Sequence, residues 1–140
     1  MLAPVQALDA RIPWTDRERR WRDALFAALI PGDLAQGLPP LAELDLAPFW
    51  AELDGAAPPL LQLGLRASTL TLTMLPAAIL GVPRPFPALD AAQQDLFLQR
   101  AAQSPIFLVR QMVLTLKTLA CMAYLRDPRV RAVVDRGGAS

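Results

Sequence analysis

The stretch Ser104-Pro-Ile-Phe-Leu-Val-Arg-Gln-Met-Val-Leu-Thr-Leu-Lys-Thr-Leu-Ala-Cys-Met-Ala-Tyr-Leu-Arg-Asp-Pro128 decides the fold. Val109, Val113, Leu116, Ala120 and Ala123 recur at offsets of 4, 7, 11 and 14, the spacing of one face of an α-helix. Leu108, Met112, Leu119 and Met122 widen that stripe, so the helix is apolar on more than one side and belongs at the centre of a bundle. Ser104-Pro105 predicts its start, a capping residue followed by proline at the first helical position, and the periodicity carries it to about Leu125. Asp127-Pro128 repeats that signal. It opens a short helix through Val130, Val133 and Val134, which Gly137-Gly138 ends.

Moving back along the chain, helical periods recur between prolines, and almost no segment alternates with period two. Asp90, with Gln93 three residues on, predicts a helix to about Gln103 that buries Leu96, Phe97 and Ala101 or their neighbours. Gly81-Val-Pro-Arg-Pro-Phe-Pro87 reads as a stiff connector. Residues 59–80 form another helix, with Leu65, Leu72, Leu75 and Ile79 near one stripe. Within it Thr69 and Thr73 can bond back to helix carbonyls or face another helix, and Pro76 should kink or split the segment. Residues 33–58 are rich in Pro, Gly and Asp and predict short helical turns at 41–46 and 48–54. Thr15-Asp-Arg-Glu18 is a capping box. It starts a helix that places Trp21, Leu25, Ala28 and Leu29 on one face and stops at Pro31-Gly32. The expected architecture is all-α: one helical domain over 1–140, an irregular bundle of five or six helices with Pro-rich connections. Residues 1–14 are expected to form an extended N-terminal segment.

The composition narrows the chemistry. In 140 residues, 54% are hydrophobic and 19% charged, which excludes a disordered chain. The net charge of +1 gives no bulk attraction for nucleic acid. There is no histidine and one cysteine, which excludes a Ser-His-Asp or Cys-His nucleophile, a histidine-ligated metal, a CxxC redox pair and an intrachain disulfide. No glycine-rich nucleotide loop is present either. Cys121 reads as a small core residue, and Tyr124 as a buried ring with its hydroxyl at a polar edge. Ala42-Glu-Leu-Asp45 recurs nearly as Ala51-Glu-Leu-Asp54, but on one helix a nine-residue offset would turn the copies to opposite sides. Their carboxylates therefore read as caps and solvated groups. No catalytic, metal-binding or cofactor-binding residue is assigned.

Met1 to Asp9 has no positive region or long apolar run, so no signal peptide is expected. Arg19-Arg20 superficially matches a twin-arginine signal, but Arg22 and Asp23 interrupt the apolar segment after it. The uncharged run Ala67 to Pro83 is 17 residues long and carries one serine, three threonines and prolines. It reads as a buried helix in preference to a membrane span.

Two strings carry a family resemblance. Ala24-Leu-Phe-Ala-Ala-Leu-Ile-Pro-Gly32 resembles the helix end near the start of gluconate 2-dehydrogenase subunit 3-like proteins. Leu116-Lys-Thr-Leu-Ala-Cys-Met-Ala-Tyr-Leu-Arg-Asp-Pro-Arg-Val130 resembles that family's L-K-x-L-x-x-x-A-Y-x-x-D-P-x-V ending. The same pattern is similar to the helical region that precedes the flavin domain in long-chain alcohol oxidases. After the Asp-Pro-x-Val element this chain reads Val133-Val-Asp-Arg-Gly-Gly138 where relatives often have a Gly-Tyr-x-Gly-like segment.

The resemblance implies an accessory small subunit, itself not an enzyme and without a cofactor. Its partner would be a FAD-containing large subunit of the glucose–methanol–choline class, which does the hydride chemistry. The apolar excess fits such partner dependence, with some of Leu108, Met112, Leu119 and Met122 expected to stay exposed in the isolated chain. Trp14, Trp50, Arg126 and Arg129, at element edges, are the expected anchors. Arg126, Arg129, Arg131 and Arg136 form a basic cluster that is either solvated or docked on an acidic surface. The expected location is cytoplasmic, or periplasmic if the chain is exported with its partner. The alternative is a stand-alone helical protein with an apolar ligand between its long helices. A membrane-associated protein using residues 67–83 ranks third.

Overall fold

The computed structural model describes residues 14–138; the expected extended segment lies outside them except for Trp14. The fold is all-α, with seven α-helices among the described residues. They are α1 Asp16–Leu29, α2 Ala47–Ala56, α3 Pro59–Met74, α4 Pro76–Ile79, α5 Ala91–Ala102, α6 Phe107–Tyr124 and α7 Pro128–Gly138. Three 3-10 turns, Leu34–Gln36, Leu41–Glu43 and Phe86–Ala88, lie in the connections. The count exceeds five or six because Pro76, which lacks an N–H, breaks residues 59–80 into α3 and the single turn α4.

Both capping boxes form. Thr15 Oγ1 accepts the Glu18 N–H at 3.1 Å, and Glu18 accepts the Thr15 N–H at 3.0 Å. At α5, Asp90 Oδ1 and Gln93 Oε1 make the same exchange at 2.8 and 3.1 Å. Arg19 and Arg20 lie exposed on α1. Thr69 and Thr73 donate to the carbonyls of Leu65 and Thr69, so both hydroxyls are satisfied inside the core.

α6 packs against α1, α3 and α5, and α1 in turn packs against α3 and α5. The fully buried Leu25, Phe26, Leu72, Phe86, Phe97, Leu116 and Ala120 fill the space between them. α6 is long and apolar enough to cross a membrane by length and composition, yet its inner arc is the centre of this core.

On α5, Phe97 and Ala101 are buried together with the neighbouring Leu98, while Leu96 is exposed. Two local expectations are corrected. α6 does not start at Pro105; Ile106 caps it without a side-chain bond. Ser104 is spent on the turn before it, its Oγ accepting the Ile106 N–H at 3.1 Å and its carbonyl accepting the Arg110 guanidinium at 2.6 Å. Finally, the short helical turn expected at 48–54 is there but lengthens to a ten-residue helix, with Pro48 in its first turn, where a missing N–H costs nothing.

Candidate functional site

The two strings that carry the resemblance meet in space. Gly32, three residues past the last residue of α1, has φ +81°, and a Cβ there would lie 2.6 Å from the Pro40 nitrogen and 2.7 Å from the Pro39 carbonyl carbon and oxygen. From the other string, the Tyr124 hydroxyl donates to that same Pro39 carbonyl at 2.6 Å. The Leu41 N–H donates to the Ile30 carbonyl at 3.1 Å, tying the far side of the turn to α1. Asp127 accepts the Arg129 N–H at 2.8 Å at the start of α7, and Val130 is fully buried. Burial raises the Tyr124 phenol above its ordinary range, with the Asp127 charge adding to it. Asp127 is held below its ordinary value because hydrogen bonds and charge from Arg129 outweigh desolvation. These residues form a clasp between the two strings. They hold helices together.

A second polar feature lies at the start of α1. Arg66 Nε and Nη2 each donate to a Glu18 carboxylate oxygen at 2.6 Å, joining α3 to α1. Burial pushes the Glu18 carboxyl up. The Arg66 bond and the Thr15 N–H and hydroxyl more than offset this, leaving it below its ordinary range. Beside the pair, the buried Arg22 guanidinium sits 3.5 Å from the Trp50 ring centroid and 4.8 Å from that of Trp14. Its Nε has no hydrogen-bond partner, and Asp23 Oδ1 is 3.6 Å away. Burial lowers the affinity of Arg22 for its proton, and the Asp23 and Asp54 charges counter it. No sequence pattern announced this clamp, because Trp14 and Trp50 converge on Arg22 only through tertiary packing.

The eight expected docking residues separate. Leu119 is only 6% exposed and is a core residue, and Met112 packs half-buried against the core. Both are corrected as surface candidates: α6 has neighbours on three sides, which widens its buried arc past the main stripe. Trp14 and Trp50 are half-buried around Arg22. Leu108 and Met122 stay open, at 65% and 54% exposure. Arg126 is exposed and paired with Glu52, and exposed Arg129 pairs with Asp127. Cys121 is half-buried and free, on the shoulder of α6 and outside the core.

The apolar surface is larger than the sequence indicated. On α6, Phe107, Leu114, Met122 and Leu125 are exposed along the face opposite the core, with Thr118 between them. On α3, Leu60, Leu63, Ala67, Thr71 and Met74 do the same. No charged residue belongs to either stripe: Arg66, the one charged residue of α3, turns to Glu18, Lys117 flanks the α6 face, and Arg110 reaches to 5.6 Å from the Phe107 ring centroid at its start. At the junction of the two helices lies an apolar groove of ≈ 520 Å³. α2 supplies Phe49 and Leu53, α3 supplies Leu61, and the end of α6 supplies Met122 with the adjoining Leu125. Glu52, Arg126 and Arg131 are its charged groups.

Among the described residues no cluster of His, Cys, Asp or Glu could hold a metal ion. Comparison with protein-family models, with characterised proteins and with solved structures finds no match.

Proposed function

We propose that this chain is a noncatalytic accessory subunit that binds and stabilises a FAD-containing dehydrogenase or oxidase large subunit of the glucose–methanol–choline class. The observation that carries it is the pair of uncharged, apolar outer faces on α3 and α6. Contiguous exposed apolar surface on a small domain is an interaction surface or an aggregation liability. An obligate interface is the environment in which such faces are stable. Leu108 and Met122, from the sequence reading, belong to or border the α6 face, and Arg126 and Arg129 lie beside its end. The resemblance supplies the class of partner, and the clasp gives its motif residues a structural role.

The experiment is coexpression with a glucose–methanol–choline flavoprotein from the same source genome, sought first in the adjacent reading frame. Soluble yield should rise, and the two proteins should elute together. Leu63→Glu combined with Leu114→Glu should abolish coelution while leaving the helical circular dichroism intact, because both positions are exposed. A soluble, cooperative monomer that ignores the flavoprotein overturns the reading. That result would promote a stand-alone protein that binds an apolar ligand, a reading the groove favours.

A further inference from the structure

The groove bounded by α2, the start of α3, the end of α6 and α7 shares Met122 and Leu125 with the α6 face but differs from it in shape. It is concave, and its ≈ 520 Å³ falls within the range of roughly 300–1,000 Å³ typical of small-molecule sites. The turn that shapes it is fixed: the Gln62 side-chain amide donates to the carbonyls of Ala57 and Asp54, at 3.0 and 3.3 Å, locking the α2–α3 corner.

Its chemistry is restricted. Seven lining residues are apolar, and the other three, Glu52, Arg126 and Arg131, are charged and exposed, so they stand at the mouth. No serine, threonine, asparagine, glutamine or histidine lines it. A sugar or a nucleotide needs several converging hydrogen-bond partners, which this floor lacks. The charges do not cancel. Arg126 is paired with Glu52, which leaves Arg131. Among the described residues no carboxylate lies within ion-pair distance of Arg131. Its Nε donates to the Leu125 carbonyl at 2.8 Å, which anchors the guanidinium at the groove and leaves its terminal N–H groups to meet an anion.

We propose that this groove binds a free single-chain carboxylate, its hydrocarbon tail against Leu53, Leu61, Met122 and Leu125 and its headgroup on Arg131. The apolar floor accepts the tail, and Arg131, the groove's cation without an ion pair among the described residues, selects the charge and end of the ligand. The inference gives a ligand class to the second reading above, and it does not depend on the flavoprotein.

The test is titration calorimetry of the full chain with dodecanoate, below the concentration at which the probe aggregates. Dodecan-1-ol and dodecyltrimethylammonium serve as comparisons. Saturable one-to-one binding of dodecanoate is expected, with the alcohol weaker and the cation weakest. Arg131→Gln should weaken dodecanoate by about tenfold or more, the value of a charge-assisted hydrogen bond, and leave the alcohol unchanged. Met122→Glu, at an exposed groove position, should abolish binding, and Arg100→Gln, an exposed cation on α5, should not alter it. No saturable binding, equal affinity for the carboxylate and the cation, or an unchanged Arg131→Gln variant would each overturn the proposal. None of these results bears on coelution with the flavoprotein, so the two readings fail separately.

Discussion

Gly32→Ala should be among the most damaging single-methyl additions this fold can receive. Two costs combine. At φ +81° an L side chain crowds its own backbone, a penalty of about 1–2 kcal/mol. The added Cβ would also stand 2.6–2.7 Å from three backbone atoms of Pro39 and Pro40. Those atoms cannot swing aside like a side chain, because Pro39 is held by Tyr124 and the chain after Pro40 is held by the Leu41 bond to Ile30. Relieving the overlap means moving backbone, at about 1–3 kcal/mol by analogy with overpacked cores. The expected loss is therefore about 2–5 kcal/mol, a large part of the whole stability of a domain this size. Urea denaturation followed by circular dichroism should show the midpoint fall, and the melting temperature should drop by roughly 10 °C. Gly64→Ala is the control. Gly64 lies in α3 with nothing within 4 Å of a built Cβ, so the same methyl should stabilise by about 0.5–1 kcal/mol. If Gly32→Ala falls within about 0.5 kcal/mol of the parent protein, the ordinary scatter of surface changes, the clasp is not the constraint described.

Glu18→Ala should cost about 2–3 kcal/mol, because it strips the carboxylate from a largely buried Arg66 and an acceptor from the Thr15 N–H. The folded Glu18 pKa lies below its ordinary 4.5, so the pair's contribution is complete above that pH and is lost as pH falls through the lower folded value. Acid titrations of stability should therefore be shallower in the variant in that range. Tyr124→Phe should cost about 1 kcal/mol and should couple non-additively with Gly32→Ala in a double-mutant cycle, since both act on Pro39. Leu119→Ala should cost about 2–4 kcal/mol, whereas Met122→Ala, three residues on, should stay within about 0.5 kcal/mol in thermal melts.

What the sequence made legible was whatever depended on neighbours within a few residues. Thr15 with Glu18, Asp90 with Gln93, and Thr69 with Leu65 are closed by side chains three or four positions apart, so their spacing announces them. The split at Pro76 was readable for the same reason, since a missing N–H is a local fact. Ser104-Pro105 misled because a serine before proline can cap a helix or build a turn, and the Arg110 side chain takes its carbonyl for the turn. Leu119 misled because periodicity gives one stripe, while the width of the buried arc is set by the helices around it. The Arg22 clamp, the exposure of one whole side of α3 and the groove each need several distant segments to be placed first.

The Tyr124–Pro39 bond spans 85 residues, and that separation sets an order of events during synthesis. At about 5–20 residues per second, Pro39 waits roughly 4–17 s for its tyrosine to be made. Once Met74 has been made, the rest of that interval leaves α3 with α1 but without α6, its other main packing partner in the finished fold. A nascent chain in that state displays the part of α3 that α6 later covers, and any protein that binds it early competes with the chain's own later half.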